Sequence, residues 1–176
     1  PFMLPIPGNG LPGVISYRDI KDTEAMIEAA KRHRNAVVIG GCLLCLEAAN
    51  GLRLRCMDVT VVHASSWLLE RQLDETAGKM LQKSLEDRGL KFLLDKMTEA
   101  LISGESGRVA AVRFKDGMQI PAELVVMAVG IRPNTALAES AGIYCNRVIV
   151  VNDTLQTYDP KIYAVGECVA HRGIAY

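Results

Sequence analysis

The feature that most constrains the fold is a strand, glycine turn, helix and strand in close succession. Residues 36–39 are an apolar, largely β-branched run that ends on Gly40 and Gly41. Residues 43–55 then follow a helical pattern, and residues 57–62 form a second β-branched run. Such a unit of about 30 residues crosses right-handedly and forms a parallel strand pair. The sequence therefore predicts a doubly wound α/β fold.

The flanking patterns extend this fold in both directions. Helices are predicted over 22–34, 74–88 and 134–140, and strands over 91–94 and 124–129. Alternating segments between residues 97 and 120 predict a small antiparallel meander. Residues 1–13 hold four prolines and three glycines and are predicted to be loop. The segments 148–151 and 162–165 are predicted to be strands of a different sheet.

Composition excludes several classes of function. Twenty basic residues balance twenty acidic ones, so no basic field favours nucleic-acid binding. The longest nearly apolar runs, such as residues 122–131, stop far short of the ~20 residues that a membrane span needs. Five scattered cysteines do not form a disulfide framework, which favours a reducing, cytoplasmic setting. Because the chain begins at Pro1, it is expected to be part of a longer protein.

The glycine turn resembles a dinucleotide-binding fingerprint that has been altered. That fingerprint places glycines at three spaced positions, so that the chain turns, the backbone approaches a pyrophosphate and the helix packs on the strand. Gly40 holds the first position, whereas Cys42 and Cys45 hold the other two. The helix N-terminus remains an anion site in principle. The predicted cofactor-binding residues here are Gly40, Gly41, Cys42, Leu43, Leu44, Cys45 and Glu47.

The same two cysteines permit other interpretations. Cys42 and Cys45 match a dithiol motif, because a helix N-terminus lowers a thiol pKa and this spacing lets the sulfurs meet. They could equally be small buried residues without chemistry. A metal site is disfavoured, since the remaining cysteines and the three histidines show no chelating spacing. No catalytic residue is predicted.

The residue at the end of the second strand leaves the preference between NAD and NADP open. An acidic residue there favours NAD and an arginine favours NADP, yet His63 holds the position. His63 is either an adenosine contact or a solvated loop residue. Arg71 could reach a 2′-phosphate or serve an ordinary surface role.

Two later strand ends become informative in this context. Val129, Gly130 and Ile131 close one strand, where a backbone could approach a ligand. Gly166 and Glu167 follow another apolar run, where a carboxylate could bind a ribityl or ribose hydroxyl. Each motif taken singly is typical of a plain turn.

Taken in order, these motifs give the chain a family resemblance. It resembles the FAD-dependent pyridine nucleotide reductases with two dinucleotide folds, and more narrowly the large subunits of NAD(P)H-dependent nitrite reductases. The resemblance runs from PFMLPIPG at 1–8, through ERQLD at 70–74 and GIRPN at 130–134, to VGECVAHRG at 165–173.

The resemblance implies a division of the chain and a role. Residues 1–20 would leave the first half of an FAD domain, 21–135 would bind NAD(P)H, and 136–176 would begin the returning FAD half. The NAD(P)H would pass hydride to FAD, and electrons would go on to reduce nitrite to ammonium. The FAD fingerprint, the iron–sulfur cluster and the siroheme would belong to the rest of the parent chain, so this segment is expected to be inactive alone.

The resemblance also implies glycine at four positions, where this chain has Cys42, Cys45, Cys56 and Val148. A side chain at 42 would hold the pyrophosphate away, and Cys45 would push the helix off the strand. Cys56 would occupy a left-handed turn at a cost of ~1 kcal/mol. We therefore expect weak NAD(P)H binding, and a structural remnant that binds nothing stays an alternative.

Overall fold

The computed structural model describes residues 1–175 of the chain. They form two compact units, one over Pro1–Gly130 and the other from Ile131 onward.

The first unit is built on a parallel sheet of five strands. Its elements, in chain order, are β1 (Val14–Ser16), α1 (Ile20–Ala30), β2 (Asn35–Ile39), α2 (Leu43–Arg53), β3 (Asp58–Val62), α3 (Glu75–Glu86), β4 (Lys91–Leu93), β5 (Thr98–Ser103), β6 (Val109–Phe114), β7 (Gln119–Pro121) and β8 (Leu124–Met127). The sheet order is β1-β8-β2-β3-β4, and every neighbouring pair is parallel. Strands β5, β6 and β7 form a separate antiparallel sheet. The predicted βαβ unit and meander are confirmed.

The three central strands β2, β3 and β8 are largely buried on both faces, which explains their continuous apolar sequences. Because side chains alternate along a strand, Val38 faces the helices while Val37 faces the meander. On the helix side, Leu52 of α2 is fully buried with Val38. On the other side, Phe114 of β6 is fully buried with Val37. Helices and meander thus cover the two faces of the sheet.

Local signals explain where the helices begin. Asp19 caps α1 through a reciprocal pair of hydrogen bonds with Asp22, and Asp74 accepts the N–H of Ala77 at the start of α3. Helix α2 instead begins directly after Cys42.

Cys45 lies in the core between α2 and the sheet. The helix buries Cys45 together with Leu46, Ala48, Ala49 and Leu52. The sulfur is enclosed by the glycine turn and the end of β8, and the displacement of the helix relative to a glycine form stays a prediction.

The second unit is small and mainly β. It contains α4 (Ala136–Ser140), β9 (Cys145–Asn146), β10 (Val148–Val151), β11 (Val169–His171) and β12 (Ile174–Ala175), in the sheet order β12-β11-β10-β9. Its core comprises Ile143, Ile149, Val151 and Val169.

Some sequence predictions need correction. Residues 162–165 are not a strand, because only an isolated bridge joins Tyr163 to Gln156, and Tyr163 and Val165 are exposed. Conversely, β1 lies in a segment predicted as connection and pairs with β8. The assignment of 1–20, 21–135 and 136–176 to parts of two cofactor domains stays a prediction.

Two of the positions where the resemblance implies glycine differ in backbone conformation. Cys56 has a φ of 65°, so the predicted left-handed turn is confirmed. Val148 is a buried residue of β10, and it is the preceding Arg147 that has a positive φ of 63°.

Candidate functional site

An open cavity of about 620 Å³ lies at the carboxyl ends of β2, β3 and β8. These neighbouring strands are parallel, so the residues that follow them meet at one edge of the sheet. The cavity brings together seven of the predicted site residues, namely Gly40, Gly41, Cys42, His63, Arg71, Val129 and Gly130.

The two glycines after β2 are required by the geometry of the turn. Gly40 has a φ of +123°, and a Cβ there would lie 3.0 Å from the Ala128 carbonyl oxygen. A Cβ on Gly41 would lie 2.5 Å from the His63 ring. The turn is thus closed on one side by the end of β8 and on the other by the imidazole.

Cys42 and Cys45 lie side by side at the start of α2. Their Sγ atoms are 2.7 Å apart, and the Ala128 carbonyl oxygen lies 3.1 Å from the first sulfur and 2.9 Å from the second. Cys42 is half-buried and lines the cavity, whereas Cys45 is completely buried behind it. Both are free thiols.

The two thiols shift each other's pKa in opposite directions. The hydrogen bond with the Cys45 side chain lowers the pKa of the Cys42 thiol to about 6, and the backbone N–H groups of Cys45, Cys42 and Leu44 act in the same direction. That same hydrogen bond, together with burial, raises the pKa of Cys45. A single negative charge shared by this pair therefore resides on Cys42.

His63 and Glu70 form the rim beyond β3. The His63 side chain is 10% exposed, and its Nε2 lies 3.0 Å from Oε2 of Glu70. Burial raises the pKa of the Glu70 carboxyl, but its own backbone N–H and His63 together lower it further, so it lies below its ordinary value. The contact with Glu70 therefore holds the nearly buried His63 ring in place on the cavity wall.

Sequence reasoning missed several residues of the cavity. Lys96 and Lys115 line it from the loop before β5 and the loop after β6, and Lys96 is ion-paired with Asp116. Thr98 also lines it, and its Oγ1 is buried without a hydrogen-bond partner within residues 1–175. No local motif marks these residues, because the meander that carries them is remote in sequence from the glycine turn.

Other predicted residues lie away from this cavity. Leu43 and Leu44 are 61% and 40% exposed, Glu47 is exposed, and none of the three side chains lines the cavity. Ile131 and Glu167 line a separate cavity of about 1050 Å³ in the second unit. Gly166, which has a φ of +94°, directly precedes Glu167 in the chain.

The part of the chain that the structure describes offers neither a cluster of metal ligands nor a membrane-spanning helix. Within residues 1–175, no group of three or more His, Cys, Asp or Glu side chains could hold a metal ion. In the same part of the chain, no helix is long and apolar enough to cross a bilayer.

A parallel sheet, a glycine turn between strand and helix, and a cavity at the strand ends define a dinucleotide-binding α/β protein. The family described as pyridine nucleotide-disulphide oxidoreductase matches residues 1–175. The chain belongs to this family of oxidoreductases, whose members bind NAD(P)H and FAD.

Individual proteins support the same assignment. The chain is 58% identical over its whole length to nitrite reductase [NAD(P)H] of Bacillus subtilis, and 49% identical to the assimilatory nitrate reductase electron transfer subunit of that organism. It spans only 22% and 23% of those two proteins. A solved NAD-dependent persulfide reductase from A. fulgidus superposes with a TM-score of 0.92 at 31% identity, over 96% of this chain and 31% of that one.

Proposed function

We propose that the first unit binds NAD(P)H and is the coenzyme domain of an FAD-dependent nitrite reductase. The observation that carries this proposal is the cavity at the Gly40–Gly41 turn, where β2, β3 and β8 end. Ligands of open α/β sheets bind at this edge, beside a helix N-terminus.

The size and charge of the cavity fit a dinucleotide. Its volume lies in the range of ligand pockets, roughly 300–1,000 Å³. Arg71 and Lys115 outnumber the carboxylate of Glu70 on its wall, even with Lys96 neutralised by its ion pair with Asp116, and this excess favours a phosphorylated ligand. Ile39, Val62 and other apolar residues complete the lining and can receive a ring.

Each group of residues then has a defined task. The backbone at the Gly40–Gly41 turn and the first N–H groups of α2 would bind the pyrophosphate, and the His63–Glu70 rim would orient the adenosine ribose. Val129 and Gly130 would bound the nicotinamide end. Bound NAD(P)H supplies a hydride, which the family transfers to FAD.

The second unit and the remainder of the parent protein complete the proposal. Glu167 would contribute a carboxylate to the FAD half, and the iron–sulfur and siroheme centres that reduce nitrite to ammonium would lie elsewhere in the parent chain. The 58% identity to nitrite reductase [NAD(P)H] supports this choice of reaction.

Cys42 opposes tight binding in the chain as it stands. Its side chain lines the cavity at the N-terminus of α2, where the pyrophosphate has to approach the backbone. Losing two charge-assisted hydrogen bonds of ~1.5 to 3 kcal/mol each would weaken binding by roughly two to four orders of magnitude.

Titration calorimetry with NADH and NADPH tests the proposal. We expect sub-millimolar binding of at least one coenzyme to the Cys42→Gly, Cys45→Gly double variant, and most of that gain from Cys42→Gly alone. Cys145→Gly is a matched control, since it removes a half-buried thiol of the second unit. Absence of binding to a folded double variant would count heavily against the proposal, whereas micromolar binding to the unaltered chain would refute only the steric argument.

A further inference from the structure

The Cys42–Cys45 pair supports an activity that does not depend on nucleotide binding. We propose that Cys42 and Cys45 are a redox-active dithiol, which closes reversibly to a disulfide by exchange with a small-molecule disulfide.

The geometry of the pair suits this chemistry. The two sulfurs are 2.7 Å apart, and the residues lie three positions apart across the first turn of α2, where side chains meet on one face. A small side-chain rotation brings them to the ~2.05 Å of a covalent bond. Disulfide formation therefore requires little change in the backbone.

Access and burial assign different roles to the two thiols. Cys42 is half-buried and faces the open cavity, so a small disulfide can reach it. Cys45 has no exposed surface and contacts only the interior and Cys42. Cys42 is thus the attacking thiol and Cys45 the resolving one.

The charge distribution supports the same order of events. The pKa of Cys42 is lowered by its hydrogen bond with the Cys45 side chain, so Cys42 is the nucleophilic thiolate near neutral pH. The pKa of Cys45 is raised, so Cys45 keeps its proton until the Cys42 thiolate has reacted with the small-molecule disulfide.

The exchange balances in two steps. The Cys42 thiolate attacks one sulfur of oxidised glutathione, whose S–S bond breaks and releases one glutathione thiolate. Cys45 then gives its proton to that thiolate and attacks the Cys42 sulfur, which releases the second glutathione as thiolate. The protein loses two electrons, and oxidised glutathione gains them as two reduced molecules.

The other cysteines provide internal references. Cys56 is exposed, so it reports whether the oxidant reacts with an accessible thiol of the same molecule. Cys145 and Cys168 are half-buried in the second unit and show whether oxidation spreads beyond the pair.

Thiol mapping of the unaltered 176-residue chain tests the proposal directly. The reduced protein is equilibrated in glutathione buffers of rising oxidised fraction, quenched with acid, alkylated and digested with trypsin. Cys42 and Cys45 lie on one peptide, between Arg34 and Arg53. In reducing buffer we expect this peptide to carry two alkyl groups. In oxidising buffer we expect it to carry none and to contain an internal disulfide. Reduction with dithiothreitol before alkylation should restore both alkyl groups.

Matched variants distinguish the two roles. Cys45→Ser should trap one glutathione on Cys42, because no resolving thiol remains, whereas Cys42→Ser should leave Cys45 unmodified. Circular dichroism checks that both variants are folded. The proposal is overturned if the 35–53 peptide of the unaltered chain stays doubly alkylated, or keeps glutathione on Cys42, while Cys56 is modified in the same sample. Since no coenzyme is present, failure here leaves the NAD(P)H proposal unaffected.

Discussion

Nε2 of His63 lies 3.0 Å from Oε2 of Glu70, on the wall of the cavity where β3 ends. The position that usually carries an acidic ribose ligand holds a histidine here, but a carboxylate seven residues later reaches the same rim. Since the pKa of Glu70 lies below its ordinary value, the carboxylate is charged at neutral pH. If the first unit binds a coenzyme as proposed, we expect this carboxylate to favour NADH slightly over NADPH.

Substituting His63 with Glu should sharpen that preference. A second carboxylate beside Glu70 would repel the 2′-phosphate of NADPH, whereas the 2′-hydroxyl of NADH can donate a hydrogen bond to it. We expect the Kd for NADPH to rise at least about tenfold relative to that for NADH, or ~1.4 kcal/mol. Calorimetry in the Cys42→Gly, Cys45→Gly background measures both values.

Glu70→Gln serves as the control for this prediction, because it removes the charge and keeps the size of the side chain. Glu70→Gln should reduce the difference between the Kd values for NADH and NADPH. Equal changes for NADH and NADPH in His63→Glu would show that His63 lies away from the adenosine ribose.

Cys56 offers a test of backbone strain. It is exposed and has a φ of 65°, a conformation that costs a non-glycine residue ~1 kcal/mol. Cys56→Gly should therefore stabilise the first unit by about 1 kcal/mol and raise Tm by ~2–4 °C in a thermal melt.

Gly89→Ala is the matched control, because Gly89 has a φ of +98° after α3 and nothing lies within 4 Å of a Cβ built there. It should lower Tm by a similar amount. An unchanged Tm for Cys56→Gly would contradict the assignment of strain to that residue.

Sequence reasoning located most of the first unit because its central strands β2, β3 and β8 are largely buried on both faces. Such strands have continuous apolar sequences, as residues 36–39 and 124–127 illustrate, and caps such as Asp74 mark helix starts. Prediction was wrong at residues 162–165, where an apolar run is exposed and makes only one bridge. Burial depends on tertiary neighbours that the local pattern does not contain.

The site was predictable only in part for the same reason. The glycine turn and His63 follow from chain order along the βαβ unit. Lys96 and Thr98 reach the cavity because the meander folds back over the sheet. No local sequence motif indicates that these two residues line the site. The contact between the cysteine sulfurs followed from their spacing, whereas the burial of Cys45 required the structure.

Glu123 links the starts of β2 and β8 and should contribute stability that is present at neutral pH and lost in acid. Its carboxylate accepts the backbone N–H groups of Asn35 and Arg34 at 2.9 Å each, and these lower its pKa. Because the folded-state pKa lies below the unfolded one, the stabilisation is present above the ordinary pKa of Glu and is lost as pH falls through the folded value.

Glu123→Gln should thus lower the free energy of unfolding by about 1 kcal/mol at pH 7, and by progressively less as pH falls below 4.5. Urea unfolding across this pH range measures the difference. Glu105→Gln, in the exposed turn between β5 and β6, is the control and should show no such trend. A constant deficit for Glu123→Gln at all pH values would mean that its charge is irrelevant.

The reactivity of Cys42 should depend on pH in a way that reports its hydrogen bond to Cys45. Since the folded-state pKa of Cys42 is about 6, its thiolate fraction rises as pH increases through that value, and alkylation by iodoacetamide should be half-maximal there. Cys45→Ala removes the donor and should move the midpoint upward by at least one pH unit, whereas Cys45→Ser keeps a hydroxyl donor and should retain a low midpoint.

The charged groups that share the cavity are His63, Glu70, Arg71, Lys96 and Lys115, and all of them are unchanged in both variants. Equal midpoints for Cys45→Ala and Cys45→Ser would show that the hydrogen bond between the thiols does not set the reactivity of Cys42.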